Sequence, residues 1–434
     1  MFMKEAENKV KVAIIGGGAA GMMAAISASR SGADVTLFEK NKSEKILEKE
    51  KFFDNAYLGN KLLITGKGRC NVTNNCDIDT LISNVSRNGK FLYSAFNALS
   101  AKDTYGQFEK WGVPLKTERG NRVFPVSDKA VDIVDALVNN AKRVSKIVEG
   151  TVKSITVNNG SVKGVRLESG ELFEADSVIL ATGGMSYSVT GSTGDGYKMA
   201  EAVGHTVTEI KPSLIPLECH EGFCSRLSGL SLKNVTLSVF EDEKKKPVFT
   251  ELGEMLFTHF GISGPLVLSA SAHIKYLDKK SYKAVIDLKP ALSAEQLDKR
   301  ILRDFSQELN KDFANSLDAL LPKSLIPVIV ALSGISANTK VNQISREERL
   351  GLVNLIKNLT LKITGTRPIE EAIITRGGIP VKEINSSTME SKIIKGLYFA
   401  GEIIDVDAYT GGFNLQIAFS TGFLAGKNSV SEGE

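Results

Sequence analysis

The sequence contains little cysteine and no long apolar run. Its four cysteines do not make a disulfide framework in a chain of 434 residues. Cys219, His220 and Cys224 have an irregular spacing and no partner pair elsewhere, so we predict no metal site. No apolar stretch approaches the length of a membrane span, and Met1–Lys9 is short and charged, without an apolar signal segment. These absences predict a cytoplasmic protein with no membrane partner.

Positive charge is not concentrated anywhere along the chain. The net charge is +4, and lysine and arginine are scattered rather than clustered. Since nucleic-acid binding usually requires a basic stripe, we expect no nucleic-acid partner. Hydrophobic residues make up 42% and charged residues 24% of the chain, which is typical of a globular protein. At 434 residues the chain is too long for one simple core, so two or three domains are expected.

The segment Lys11–Lys40 has the pattern of a strand, a tight turn, a helix and a second strand. Three glycines follow the first apolar run with the spacing G-x-G-x-x-G. The first permits the turn, the second lets the backbone approach a pyrophosphate, and the third lets the helix pack close to the strand. A carboxylate at the end of the second strand can accept the ribose hydroxyls of an adenosine and would repel a 2′-phosphate. The dinucleotide contacts predicted here are Gly16, Gly18, Ala20, Gly21 and Glu39.

A second polar loop spans Thr65–Asn74, beyond a charged stretch at 41–51 that predicts a surface helix. Its glycines, cations and amide side chains could wrap the pyrophosphate or the polar edge of a flavin; the alternative is a plain surface loop. Cys70 and Cys76 stand near the point where flavin disulfide reductases place a redox pair. The spacing differs, however, and buried or incidental thiols are favoured. The contacts predicted in this loop are Gly66, Arg69, Cys70 and Asn71.

Between residues 148 and 180 the hydrophobic period changes to two, with a hairpin turn at Asn159-Gly160. FAD domains of the glutathione-reductase type insert such a meander, whereas an NAD domain continues with alternating helices and strands. The next strand, Ser177–Leu180, ends in Ala-Thr-Gly-Gly, which is a second FAD fingerprint. Its predicted contacts are Thr182, Gly183 and Gly184. A helix to about Val203, capped by Thr193 or Asp195, is expected to follow.

From His205 to about Ile373 the pattern changes again, which predicts an inserted module. We interpret it as a β-barrel-like part that carries a helical part. Its Thr258-His259 pair lies between apolar residues and turn glycines, and the alternative to a functional histidine is a structural one. Strands are predicted at Val235–Phe240, Lys246–Thr250 and Tyr282–Leu288, and helices at Ser293–Leu309, Phe313–Leu321, Lys323–Leu332 and Arg346–Lys357.

The closing segment has the pattern of a cofactor-binding end. Gly396–Glu402 is a strand that ends in Gly-Glu, and a helix follows at Leu415–Lys427. In FAD proteins of this type the acidic residue accepts a hydrogen bond from a ribityl hydroxyl. The amides that open the helix stabilise negative charge at flavin N1 and O2. Thr375-Arg376-Gly377-Gly378 is expected to precede a further strand. The predicted contacts are Gly401, Glu402, Gly412, Asn414 and Leu415.

Together these motifs resemble one bacterial family, the NAD(P)/FAD-dependent oxidoreductases that include aminoacetone-oxidase-like flavoproteins and a bile-acid ene-reductase. The resemblance covers essentially the whole chain. It is carried by the first glycine turn and by Thr-Gly-Lys-Gly-Arg-Cys-Asn at 65–71, Ala-Thr-Gly-Gly at 181–184, Thr-His-Phe-Gly-Ile-Ser-Gly-Pro at 258–265, Thr-Met-Glu-Ser at 388–391 and the Gly-Glu…Thr-Gly-Gly-Phe-Asn ending.

The resemblance implies an α/β fold, in which a glutathione-reductase-type FAD-binding Rossmann domain is interrupted by an inserted β-barrel plus helical-bundle module. The implied limits are 1–205 and 374–434 for the FAD-binding domain and 206–373 for the insert, with its helical part at about 291–357. The FAD contacts that it implies are Ala19, Glu39, Lys40, Thr182, Glu402, Asn414 and, on a meander strand near the adenine, Val152.

We therefore expect an FAD-dependent oxidoreductase that passes hydride through flavin N5. A reductive version takes hydride from NAD(P)H, as a transient co-substrate, and reduces an activated C=C bond in a small or steroid-like molecule. An oxidative version oxidises an amine of the aminoacetone type and makes peroxide from O₂. A tRNA-modifying or RNA-binding flavoprotein and a flavin-bearing sensor without turnover are the alternatives from other classes. The catalytic candidates are His259, as proton donor or substrate anchor, and Arg376, as anion contact.

Overall fold

The computed structural model describes residues 9–41, 57–242 and 244–430. The surface helix predicted at 41–51 lies outside these residues, apart from Asn41. The described residues before 214 and after 371 form one compact unit, called here the Rossmann unit, and residues 214–371 form a second, the barrel unit. Within the described ranges, no helix has the length and apolarity needed to cross a bilayer.

Strands and helices are numbered along the chain. Before residue 214 the strands are β1 (Lys11–Ile15), β2 (Asp34–Glu39), β3 (Thr73–Asn74), β4 (Val85–Arg87), β5 (Leu115–Glu118), β6 (Arg122–Pro125), β7 (Lys146–Glu149), β8 (Val152–Asn158), β9 (Ser161–Leu167), β10 (Leu172–Glu174), β11 (Ser177–Leu180) and β12 (Lys211–Ser213). The helices there are α1 (Ala19–Arg30), α2 (Asn60–Ile64), α3 (Ile78–Ser83), α4 (Tyr93–Ala98), α5 (Ala101–Lys110), α6 (Ala130–Val144) and α7 (Asp195–Ala202).

The barrel unit and the closing segment continue the numbering. The barrel unit contains β13 (Leu217–Cys219), α8 (Phe223–Arg226), β14 (Ser231–Glu241), β15 (Phe249–Thr258), β16 (Gly261–Ser263), α9 (Pro265–Ser271), β17 (Tyr282–Asp287), α10 (Ala294–Ser306), α11 (Ile326–Ser333), α12 (Arg346–Lys357) and β18 (Leu359–Thr366). The closing segment contains β19 (Ile374–Arg376), β20 (Leu397–Phe399), β21 (Asp407–Ala408) and α13 (Phe413–Asn428).

A parallel sheet with the order β20-β11-β1-β2-β7 forms the centre of the Rossmann unit. Its central strands read as apolar runs because helices and loops cover both faces of a parallel sheet. Ile15, at the end of β1, pairs with Leu180 and with Phe38. The segments that follow these three strands therefore leave the sheet at one carboxyl edge, where α/β sheets bind their ligands.

Helices α1 and α13 pack closely against each other beside this sheet. A Cβ atom added to Gly422 would lie 2.3 Å from the Ala20 carbonyl oxygen, and one added to Gly426 would lie 2.3 Å from that of Ala24. The Ser27 hydroxyl also donates to the Phe423 carbonyl oxygen at 2.7 Å. Only glycine permits this separation, which explains the small residues on both helices.

The meander of β8, β9 and β10 forms its own antiparallel sheet. Its hairpin turn has φ values of 50° at Asn159 and 73° at Gly160. Positive φ at both central residues gives the turn whose twist matches a hairpin, and Asn-Gly adopts it readily.

Six strands of the barrel unit close into a barrel in the order β13-β16-β15-β14-β17-β18. Helices α10 and α12 begin with capping boxes, in which Ser293 pairs with Gln296 and Ser345 with Glu348. The prediction of a helix at Phe313–Leu321 is wrong, since only a 3₁₀ turn forms there, at Phe313–Asn315. The predicted fold class, a Rossmann domain with an inserted β-barrel and helices, is confirmed.

The boundaries between the two units lie at slightly different positions in the sequence from those expected. Strand β12 pairs with β19 inside the Rossmann unit, so this unit extends to Ser213 and resumes at Ala372. The prediction of a strand directly after Thr375–Gly378 is wrong, because Ile374–Arg376 is itself the strand. Gly377 and Gly378 then turn the chain away, with φ of 93° and 136°. We propose these unit limits as the domain limits.

Candidate cofactor site

The first glycine turn leaves the N-terminus of α1 open. Gly16 has a φ of 107°, and an added Cβ would lie 2.6 Å from the Ala181 carbonyl oxygen. At Gly21 it would lie 1.9 Å from the Gly16 carbonyl oxygen, but at Gly18 it would meet nothing within 4 Å. Helix α1 begins at Ala19 with no side-chain cap and no acidic residue in its first turn. Two glycines thus close the turn, while Gly18 opens space before uncapped amides that suit an anion.

Glu39 is oriented by the turn that precedes α1. The residue is only 8% exposed, and its carboxylate accepts hydrogen bonds at 2.9 Å from the Gly17 amide and at 2.9 Å from the Asn41 amide. Burial raises the pKa of this carboxyl, and the two backbone amides oppose that effect. Each carboxylate oxygen retains a lone pair that could accept a ribose hydroxyl.

Lys40 links the end of β2 to the start of α7. Its Nζ donates to Thr193 Oγ1 at 2.6 Å and to Asp195 Oδ2 at 2.9 Å. The expectation that Thr193 or Asp195 caps α7 is wrong, because the cap position is Gly194, with φ of 79° and no side-chain cap. The segment Thr193–Gly196 holds the lysine instead.

The second polar loop has an unusual backbone. Gly66, Lys67, Gly68 and Cys70 all have positive φ, between 56° and 80°. Such conformations are uncommon for residues other than glycine, and they accumulate at binding sites. The Asn71 Oδ1 atom is buried and has no hydrogen-bond partner among the described residues.

The side chains of this loop point to different environments. Arg69 pairs with Glu118 and Asp128 at 2.5 Å each, and its guanidinium lies 4.1 Å from the Phe124 ring centroid. Its charge is therefore already neutralised by protein groups. Burial raises the pKa of the Cys70 thiol to about 12, so this thiol is not a nucleophilic thiolate at neutral pH.

The Ala-Thr-Gly-Gly segment lies against the first glycine turn and the closing segment. Thr182 Oγ1 is buried without a partner among the described residues. A Cβ atom added to Gly184 would lie 2.3 Å from Thr375 Oγ1 and 2.9 Å from Glu402 Oε1. Gly183 has φ of 75°. Val152, on the meander, is 5% exposed and pairs with Leu167.

Glu402 is the centre of a polar network that the motifs did not reveal. Its Oε1 accepts from the Thr375 amide at 2.7 Å and from Ser186 Oγ at 3.0 Å. Its Oε2 accepts from Lys61 Nζ at 2.8 Å. Lys61 and Ser186 were missed because neither belongs to a recognised motif and their partner Glu402 is 341 and 216 residues away in sequence. The preceding Gly401 packs on Ala20, whose Cβ would be 2.8 Å from an added Cβ.

The start of α13 is a second open helix end. Gly412 occupies its cap position with φ of 97°, and no side chain caps the helix. A Cβ atom added to Gly412 would lie 2.4 Å from the Thr73 carbonyl, which places the second polar loop against this helix end. Asn414 bonds the backbone of Ala408 at 3.0 and 2.8 Å, so its amide shapes the β21 loop. Leu415 follows in the first turn and is partly buried.

These features fit an adenine dinucleotide with a flavin. Two open helix ends offer amides to negative charge, and Gly18 leaves room for a pyrophosphate. Buried oxygens of Asn60, Asn71 and Thr182, with no partner among the described residues, are available to donors of a ligand.

The chain is similar to known proteins along nearly its whole length. The family model described as HI0933-like protein Rossmann domain matches residues 10–428. The chain belongs to the HI0933-like family. This HI0933-like chain is an FAD-dependent oxidoreductase by family, and the predictions of an enzyme and a flavoprotein are confirmed.

Three relatives of this HI0933-like chain are similar over almost its full length. It is 31% identical over 424 residues to a 3-dehydro-bile acid delta(4,6)-reductase of Clostridium scindens, covering 96% of this chain and 98% of the relative. It is 30% identical over 417 residues to a ribosomal RNA dihydrouridine synthase of Haemophilus influenzae, covering 94% and 96%. The Escherichia coli protein of that name is 28% identical over 423 residues, covering 96% and 97%.

The two catalytic candidates of this HI0933-like chain have different surroundings. Arg376, in the Rossmann unit, has Nη2 3.3 Å from Asp407 Oδ2, and that carboxylate, 1% exposed, also accepts from Ser86 and Ser213. His259, in the barrel unit, is exposed in the two-residue turn between β15 and β16, and its ring centroid lies 5.0 Å from that of Phe260.

Proposed function

We propose that this protein reduces a carbon–carbon double bond conjugated to a carbonyl group, with FAD as cofactor and NAD(P)H as transient electron donor. The observation that carries the proposal is that the two activities named for its full-length relatives share this chemistry. A delta(4,6)-reductase of a 3-oxo steroid saturates double bonds conjugated to that oxo group. A dihydrouridine synthase saturates the uracil C5–C6 bond, which is conjugated to the C4 carbonyl.

The residues that would hold FAD come from three separated stretches of the Rossmann unit. The amides of α1 and the space at Gly18 would receive the pyrophosphate, and Glu39 would receive the adenosine ribose. Thr182 and Glu402 would receive further hydroxyls. When bound, FAD would supply the ring that accepts and delivers hydride, and the amides of α13 would stabilise negative charge beside it.

The reduction also needs a proton for the carbon next to the carbonyl group. His259 is our candidate donor because it is exposed and because an imidazole can serve as a general acid. Arg376, held by Asp407, is our candidate contact for the substrate oxygen. His259→Ala should lower the rate of substrate reduction and leave the rate of flavin reduction by NAD(P)H unchanged. Full turnover in this variant would remove the histidine from the mechanism.

The first substrate candidate is a small or steroid-like enone, as in the bile-acid relative. The second is a uracil base of ribosomal RNA, which the names of two full-length relatives favour. The two differ in electrostatics, because RNA binding weakens steeply with salt whereas binding of a neutral enone does not. The absence of a nucleic-acid partner therefore stays a prediction.

Anaerobic titration of the purified yellow protein tests the proposal. NADH or NADPH should bleach the flavin absorbance, and a 3-oxo-4-ene steroid or a ribosomal RNA transcript should restore it with formation of the saturated product. A gain of two mass units in the steroid or in a uridine identifies the substrate class. If neither nicotinamide bleaches the flavin, and an amine does so with peroxide formed on admission of O₂, the reductase is excluded in favour of the oxidase.

A further inference from the structure

The Glu402 carboxylate is held by three donors from three segments of the Rossmann unit. The Thr375 amide and Ser186 Oγ occupy Oε1, and Lys61 Nζ is the single donor to Oε2 among the described residues. A carboxylate offers about four lone-pair sites. One site on Oε2 is therefore left for a ligand hydroxyl, beside the lysine ammonium.

Lys61 supplies two of its three ammonium protons to this network. Its Nζ lies 2.7 Å from Ser186 Oγ and 2.8 Å from Glu402 Oε2. The side chains of Lys61 and Glu402 are 24% and 20% exposed, so the pair is partly shielded from water. Such a pair is stronger than one on an open surface, and removal of the cation would leave the carboxylate without its counter-charge.

The backbone ties Lys61 to the first glycine turn. Helix α2 follows Gly59, which has φ of 71° and whose amide donates to the Gly17 carbonyl oxygen at 3.0 Å. The adjacent Asn60 contributes one of the buried oxygens that have no partner among the described residues. Lys61 thus stands between the turn proposed for the pyrophosphate and the carboxylate proposed for the ribityl chain.

We propose that Lys61 is a positioning residue of the flavin site, which fixes Glu402 toward FAD and balances the negative charge of this carboxylate, so that the electron-rich form of the bound cofactor is not disfavoured. The inference rests on the proposed FAD site and goes beyond it, since it assigns both cofactor affinity and redox potential to a residue outside the sequence motifs. A fixed cation near a group that becomes negative stabilises the negative form.

The test compares Lys61→Met with Lys61→Arg and with a matched control. Lys357 forms an ion pair with Asp287 at 2.6 Å in the barrel unit, with side chains 18% and 22% exposed, so Lys357→Met removes an equally shielded cation elsewhere. We expect Lys61→Met to raise the FAD dissociation constant about tenfold or more and to shift the midpoint potential to a more negative value. Lys61→Arg should have a midpoint potential close to that of the wild-type protein. Lys357→Met should change neither the FAD dissociation constant nor the midpoint potential.

A double variant separates positioning from a general structural effect. Lys61→Met combined with Glu402→Gln should bind FAD about as well as Glu402→Gln alone, because the two residues act as one unit. Unchanged affinity and potential in Lys61→Met, or effects of the two substitutions that add independently, would overturn the inference. A wild-type protein that cannot be loaded with FAD would instead overturn the proposed function, so the two failures are distinguishable.

Discussion

Two helices of the barrel unit and two helices of the Rossmann unit differ in how their first amides are satisfied. In the barrel unit α10 and α12 begin with complete capping boxes, at Ser293 and Ser345. In the Rossmann unit α1 and α13 have a glycine at the cap position, with no side-chain cap and no acidic residue in the first turn. Capping satisfies the free amides of a helix with the protein's own oxygens. From this difference we propose that α1 and α13 keep these amides available for a ligand, at a cost in the stability of the unliganded unit.

The largest effect is expected where the first glycine turn is closed. A side chain at Gly21 would lie 1.9 Å from the Gly16 carbonyl oxygen, which is backbone and does not move aside. Gly21→Val should therefore abolish FAD binding, as measured by absorbance after reconstitution, and should lower the melting temperature of the apoprotein. A yellow Gly21→Val protein of normal stability would contradict the role assigned to this turn.

A smaller change distinguishes the effect of the open helix end on FAD binding from the effect of the glycine turn on stability. Gly18 has φ of −83°, which alanine adopts, and an added Cβ would meet nothing within 4 Å. Gly18→Ala should leave the unfolding of the apoprotein nearly unchanged and raise the FAD dissociation constant about tenfold or more, since the methyl group fills the space proposed for the pyrophosphate. Urea unfolding and FAD titration check the two halves of this prediction, and equal affinity would show that the space is not used.

A buried histidine of the Rossmann unit gives a further contrast with an exposed one of the barrel unit. His205 is 4% exposed and lies 2.9 Å from Glu383 Oε2 and 2.8 Å from Ser391 Oγ. His205→Ala should lower the free energy of unfolding by about 1–3 kcal/mol, because it leaves buried polar partners unpaired. The matched variant His259→Ala, at the exposed turn, should change it by less than about 0.5 kcal/mol.

The same histidine predicts a pH dependence. Burial lowers the pKa of His205 below its usual value of 6.5, so the unfolded chain binds more protons than the folded chain below that pH. The free energy of unfolding should therefore fall as the pH is lowered below 6.5, and this part of the slope should be absent from His205→Ala. An identical pH profile in both proteins would show that the imidazole is not the group responsible.

The smallest effects are expected at the capped helices. Ser293→Ala and Ser345→Ala should each lower the free energy of unfolding by about 1 kcal/mol, because one amide loses its cap. Neither should alter the FAD dissociation constant, since both serines belong to the barrel unit. A change in FAD affinity in either variant would break the distinction between caps that stabilise a helix and ends that bind a ligand.

Much of the fold was predictable because local patterns carried it. The apolar runs of β1, β2 and β11, the glycine spacing after β1 and the Asn159-Gly160 turn each have a direct physical cause. The segment from Phe313 shows where this fails: Phe313 and Leu317 are buried, as a helical spacing predicts, yet the backbone forms only a 3₁₀ turn. Periodicity reports which side chains face a core, and other backbone conformations can satisfy it.

The candidate site was predictable where a backbone conformation demanded a residue type. Gly16, with its positive φ, and Gly21, with its close approach to backbone, follow from the motif. Lys61 could not be predicted from a motif, because its partners Ser186 and Glu402 are 125 and 341 residues away in sequence. Such a contact has no local signal and requires the folded chain.

The glycine contact between α1 and α13 also has a consequence for the order in which the chain folds. The Ser27 and Phe423 groups that bond across this contact are 396 residues apart in the chain. During translation the barrel unit is synthesised after α1 and before α13. It can therefore fold while the Rossmann unit still lacks α13. We therefore expect assembly of the Rossmann unit, and with it loading of the proposed cofactor, to wait until the segment 413–428 has left the ribosome.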